Sequence, residues 1–142
     1  MRALLDVNVL LALMDRDHIH HRPALAWWRS ERGNGWASCP LTQNGFVRIL
    51  CQANYPRRRT AAQAIEQLRL QLAEPSHQFW QDDISIADDS QFDRTRILGP
   101  NQITDVYLLA LAVKNGGRLA TFDRSIALAA ARGAEPRHLA MI

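Results

Sequence analysis

Asp6 stands between two apolar runs, RALL at 2–5 and VLLAL at 9–13, with only Val7 and Asn8 between it and the second. A carboxylate in such a setting is costly to bury unless it is paired, hydrogen-bonded or liganded. The same order returns late in the chain, where RLATF at 118–122 runs into Asp123. A short apolar run, a polar residue and then a helical stretch reads as a strand turning into a helix. Repetition of that unit predicts an α/β fold with a central, mostly parallel sheet. At 142 residues one domain over 1–142 is expected. A chain of that size buries roughly two-thirds of its unfolded surface and needs no disulfide or structural metal to fold.

Strands are expected at 2–5, 36–38, 77–80, 118–122 and 138–142. Helices are expected at 7–14, at 22–32 with Pro23 in the first turn, and from Pro40 through LTQNGFVRILCQA. Another runs from a Thr60 cap to Glu74. A strong helix, DVYLLALAVKNGG, follows Thr104 as its expected cap and ends at Gly116 and Gly117. A short helix is expected from Ser125 to Arg132.

The two cysteines, Cys39 and Cys51, have no CxxC spacing and read as reduced thiols of a cytoplasmic protein. Asp6 and Asn8 interrupt the first apolar run, so a signal peptide is not expected. No stretch approaches the ~20 apolar residues of a membrane span. The formal charge is +3, and the bases are sixteen Arg with Lys114 alone as lysine. Arginine forks suit phosphate, although a GC-rich genome explains the same preference.

Three aspartates carry the chemistry. Asp6 and Asp123 each end a hydrophobic strand, and Asp105 lies in the first turn of a helix. Ligands of open parallel sheets bind at the carboxyl ends of the strands, so these side chains are expected to converge. Crowded carboxylates repel and raise one another's pKa values unless a cation neutralises them. Oxygen ligands of this type suit Mg²⁺ or Mn²⁺, which serve phosphodiester hydrolysis. Taken singly, Asp105 also reads as a helix-dipole partner and Asp123 as a cap.

LLDVNVLLAL resembles the opening of PIN domains, and ITDVYLLALAVKNGGRLATFDRSI resembles their second half. SCPLTQNGFVRIL resembles the middle helix of VapC toxins, and with HIHHRPALAWW the likeness runs from residue 1 to about 130. The resemblance implies a PIN-like three-layer domain and an Mg²⁺- or Mn²⁺-dependent endoribonuclease. Asp6, Asp105 and Asp123 would be its catalytic and metal-binding residues, with Asn8 and Thr121 as polar supports. It further implies an RNA substrate, tRNA among the candidates, a VapB-type antitoxin partner, a homodimer and no membrane association. One departure stands out: PIN domains usually carry a glutamate on the middle helix, and no acid occurs between Ser38 and Gln52. Gln43 or Asn44 stands near that place. The missing acid favours an alternative, a catalytically weak or inactive PIN-like module that binds RNA or protein. A phosphoaspartyl reading, with Asp6 as acceptor, lacks a lysine at a strand end.

Other clusters have plainer readings. His18, His20 and His21 lack a Cys or Glu to complete a zinc set and read as a polar turn. Trp27 and Trp28 are adjacent, so one serves the core while the other is free to meet a partner. Arg57, Arg58 and Arg59 form the densest basic run and are candidates for tracking RNA phosphates. Asp82, Asp83, Asp88 and Asp89 read as a solvated acidic loop.

Overall fold

The computed structural model describes residues 1–142. Five parallel strands lie in the order β3-β2-β1-β4-β5. They are β1 Ala3–Leu5, β2 Trp36–Ser38, β3 His77–Phe79, β4 Arg118–Thr121 and β5 Leu139–Met141. The helices are α1 Val7–Met14, α2 His21–Glu31, α3 Pro40–Leu50, α4 Ala61–Leu72 and α5 Ile103–Lys114.

Side-chain alternation along the strands splits the core in two. Leu4, Ala37 and Leu119 face the side covered by α5, with Val106, Leu109 and Phe92. Ala3, Leu5, Trp36 and Ala120 face the side covered by α1, α3 and α4, with Val9, Phe46, Leu50 and Leu68. A strand buried on both faces has no polar alternation, which is why RALL and RLATF read as continuous apolar runs. Helices on both faces of one sheet give the expected three layers. Leu4 has no exposed surface, and its truncation to Ala costs about 2–5 kcal/mol.

The chain begins in the middle of this sheet. β1 leads outward through β2 to β3, and the chain then returns to place β4 on the other side of β1. The strand order reverses between β1 and β4, and the carboxyl ends of the strands at such a switch point are where ligands of open parallel sheets bind. Gly45 tightens the packing there. A Cβ there would stand 2.7 Å from Val7 Cγ2, so only glycine lets α3 press this closely on the start of α1.

Several boundaries differ from expectation. α5 starts one residue before Thr104; its cap position is Gln102, with no side-chain capping bond, and a 3₁₀ turn at Pro100–Gln102 leads in. Thr104 is therefore inside the helix, and Asp105 keeps its first-turn place. No helix forms over 125–132: that segment holds only a 3₁₀ turn at Leu128–Ala130, with Ala130 and Ala131 packed into the core under α5. α3 stops at Leu50 and α4 at Leu72, each a few residues short of its expected span. The Thr60 cap holds: its Oγ1 accepts from Gln63 N, and Gln63 Oε1 accepts from Thr60 N. No helix is long and apolar enough to cross a membrane.

Candidate metal centre

Asp6 leaves β1 at the carboxyl end of the sheet and caps α1. Its Oδ1 accepts the Val7 amide at 2.6 Å, and its Oδ2 accepts the Thr121 hydroxyl at 3.0 Å. The Asp6 amide in turn donates to Ala120 O at 3.0 Å, so β1 and β4 stay paired up to the edge of the site. Asp6 is 7% exposed. Burial pushes its carboxyl above the usual range and the Asp123 charge adds to this, while the bonds from Thr121 and Val7 pull it down.

Thr121, fully buried at the end of β4, is the hinge of the arrangement. Its Oγ1 donates to Asp6 and accepts the Asp123 amide at 3.0 Å. Asp123 Oδ1 accepts from the amide and hydroxyl of Ser125 at 2.7 and 2.6 Å. These bonds hold its carboxylate below the usual range. Asp105 behaves in the opposite way. Burial, then the charges of Asp6 and Asp123, then hydrogen bonding to Asp123, push its carboxyl up to about 6. The three aspartates singled out in the sequence thus sense one another at the ends of β1, β4 and the start of α5.

The donor set is hard oxygen with excess negative charge, which fits a divalent cation of the Mg²⁺ or Mn²⁺ kind. It is not a closed cage: no group of three His, Cys, Asp or Glu side chains is gathered as a ready-made ligand set. Both Asp6 oxygens are engaged by the protein, so ligation there shares lone pairs with Val7 and Thr121 or displaces those bonds.

The other candidates sort themselves. Gln43 turns its Nε2 to Ser38 Oγ at 2.9 Å, and that oxygen also bonds His77 Nε2 at 2.8 Å. Gln43 therefore lies at the end of β2, beside β1, whereas Asn44 is exposed on α3. Asn8 is exposed on the first turn of α1. Ser125, which fixes Asp123, was not singled out; its place two residues after the acid, as in an Asx turn, is the available signal.

The arginine run divides. Arg59 is drawn inward, its Nη2 3.9 Å from Asp15 Oδ1, while Asp15 Oδ2 accepts the Tyr55 hydroxyl at 2.6 Å. Arg57 pairs with Asp17 at the surface, and Arg58 is exposed. The histidines hold no metal set: His21 Nδ1 bonds Ala12 O at 2.7 Å, His18 Nδ1 accepts the His20 amide, and His20 stacks on Phe122 at 4.8 Å. Asp82 is exposed yet tied, its Oδ2 accepting the Leu41 amide at 2.9 Å. Asp83 pairs with Lys114 at 2.7 Å.

The PIN-domain family profile matches residues 3–132. The chain belongs to the PIN-domain family. Within it the similarity is to VapC proteins. Ribonuclease VapC44 of Mycobacterium tuberculosis is 53% identical over 142 residues, covering all of both chains. Ribonuclease VapC39 of the same organism is 42% identical over 134 residues, covering 94% of this chain and 96% of that one. Among solved structures, VapBC2 from Rickettsia felis, bound to a DNA fragment from its promoter, superposes with a TM-score of 0.59 at 13% identity. It covers 87% of this chain and 89% of that one, a likeness of fold. The three-layer arrangement is therefore that of a PIN domain, and the sequence is similar to VapC proteins over its whole length.

Proposed function

We propose that this chain is the toxin of a toxin–antitoxin pair, an Mg²⁺- or Mn²⁺-dependent endoribonuclease with Asp6, Asp105 and Asp123 as its metal-binding and catalytic residues. The observation that carries the reading is the buried Thr121 hydroxyl, which donates to Asp6 and accepts the Asp123 amide, each at 3.0 Å, beside an Asp105 pushed up to about 6 by burial and by both acids. A group of like charges held at the end of a sheet is stabilised by a cation, and perturbed carboxyls in a cleft mark functional sites.

A bound divalent ion supplies Lewis-acid stabilisation of phosphoryl oxygens and acidifies water. The chain's own residues do the rest. Thr121 orients Asp6, and Ser125 keeps Asp123 ionised. Asp105, pushed up to about 6, holds a proton only below that pH without the ion, and a bound cation would favour its ionised form. Identity to VapC-type ribonucleases over the full length supports RNA as substrate. Arg58, exposed and outside the ion pairs that occupy Arg57 and Arg59, is the member of the basic run best placed to meet RNA phosphates.

The partner surface of this reading is a groove of about 400 Å³ between α1, α2 and α4, lined by Leu13, Met14, Leu25, Trp28 and Trp36 among others. It suits the apolar face of an antitoxin helix. None of the three aspartates lines it, so a further antitoxin segment must reach them. A second copy of the toxin completes a homodimer in this proposal.

The test is cleavage of structured RNA by the purified chain in Mg²⁺, Mn²⁺ or chelator. Cleavage that needs the ion supports the reading; undiminished cleavage in chelator overturns the metal mechanism. Failure to cleave any RNA with either ion favours the non-catalytic alternative raised by the missing middle-helix glutamate.

A further inference from the structure

A second pocket, of about 300 Å³, opens where α3 and α5 begin, lined by Leu41, Asp82, Ile86, Ile103, Thr104 and Tyr107. Thr104 directly precedes Asp105, so this pocket and the acidic centre share the first turn of α5. Its aliphatic lining is open to solvent: Leu41 is 38%, Ile86 40% and Ile103 46% exposed. Tyr107 is fixed behind them by stacking on Phe92, with ring centroids 6.3 Å apart and planes 12° from parallel. The volume is at the small end of ligand pockets, which run from roughly 300 to 1,000 Å³, and suits one planar ring system.

Asp82 supplies the polar side. The Leu41 amide fixes its carboxylate at the start of α3. An ionised carboxylate has about four acceptor positions and no donor; the Leu41 amide takes one and the Cys39 thiol faces it as well, which leaves acceptor capacity towards the pocket. An apolar slot with an acceptor at its wall, adjoining a phosphodiesterase centre, has the chemistry of a base site: single-stranded RNA is read through unstacked bases packed on side chains and bonded along their edges.

We propose that this pocket is a nucleobase subsite and that Asp82 selects bases with an amino edge, guanine first. The proposal rests on the ribonuclease reading for its link to cleavage, but base binding itself does not. Guanine presents N1–H and the 2-amino group side by side, which matches the two oxygens of a carboxylate. Uracil presents its single N3–H between two carbonyl oxygens, and these face the Asp82 charge unfavourably. Adenine and cytosine, with one amino group each, fall between.

The test is titration of the full chain, in chelator, with GMP, AMP, CMP and UMP, followed by NMR at the methyl groups of Leu41, Ile86 and Ile103. GMP is expected to shift all three and to bind at least about 10-fold more tightly than UMP, the order of one hydrogen bond to a charged group. Asp82→Asn retains a carbonyl oxygen for the Leu41 amide and so keeps the α3 start. It is expected to abolish the preference for GMP over UMP. Ile86→Ser is expected to weaken all four nucleotides alike. Equal binding of GMP and UMP, or a preference that survives Asp82→Asn, overturns the proposal. So does the absence of shifts at the three methyls, which would leave the apolar lining to a protein partner. A pocket that prefers guanine on a chain that cleaves no RNA would remove the nuclease reading and keep the subsite.

Discussion

Thr121 Oγ1 donates to Asp6 Oδ2 at 3.0 Å across 115 residues of chain. The same oxygen receives the amide of Asp123. One buried hydroxyl thus sets the positions of two acids just beyond the ends of neighbouring strands. Thr121→Val keeps the shape and removes both bonds. Cleavage and Mn²⁺ affinity are expected to fall roughly 10- to 100-fold, as when other groups that orient metal ligands are removed. Thr121→Ser is expected to recover most of the loss. Parallel calorimetric titrations and rate measurements on the folded variants check this; unchanged values for Thr121→Val would show that Thr121 positions nothing.

Asp105 gives a pH signature. Its folded-state value, about 6, lies above the ordinary 3.8. Between those values the folded protein binds more protons than the unfolded chain, so this group makes the ion-free protein less stable as pH rises from about 4 to 6. The effect at this half-buried side chain is on the order of 1 kcal/mol after solvent screening. Asp105→Asn is expected to flatten that part of the stability curve, measured by denaturant unfolding in chelator. Mn²⁺ affinity is expected to fall as pH drops below about 6, because proton and ion compete for the same carboxylate. A wild-type curve matching that of Asp105→Asn would contradict the assignment.

Arg58 and Arg59 are expected to differ in kind. Arg59 reaches the buried Asp15, and its Nη1 is itself buried without a partner. Arg59→Ala is expected to cost about 1–3 kcal/mol, because the buried Asp15 carboxylate loses its counter-charge while keeping its bonds from Tyr55 and Asp17. Arg58→Ala is expected to leave stability unchanged while raising KM for RNA and reducing its salt dependence. Thermal unfolding and RNA cleavage at two salt concentrations separate the two; equal loss of stability in both variants would refute the division.

Trp28 lines the groove and meets Trp36 edge-on, with ring centroids 6.2 Å apart. Trp27 does not line it. Trp28→Ala is expected to release a co-expressed antitoxin, while a folded Trp27→Ala protein retains it. Co-purification of each variant with a co-expressed VapB-type antitoxin is the check, and retention by Trp28→Ala would place the partner elsewhere.

The fold was legible because its chemistry is local. Strand ends marked by Asp6 and Asp123, the Thr60 cap and the glycine stop after α5 all depend on near neighbours. The errors arose where packing overrides pattern. Residues 125–132 have helical composition, but Ala130 and Ala131 are pulled flat under α5. The three aspartates were readable from their places in the pattern, whereas the fates of Gln43 and Arg59 were not. Gln43 is held by Ser38 and Arg59 by Asp15, partners that only the folded chain brings near.

The central claim is that Asp6, Asp105 and Asp123 form one divalent-cation site that cleaves RNA. Its most direct test is Mn²⁺-dependent cleavage by wild type and by Asp6→Asn, Asp105→Asn and Asp123→Asn, each shown to be folded by circular dichroism. Each variant is expected to lose activity by roughly 100-fold or more, the scale of removing one electrostatic stabiliser of a transition state. Wild-type rates from any folded variant would remove that aspartate from the site, and wild-type rates from all three would contradict the account.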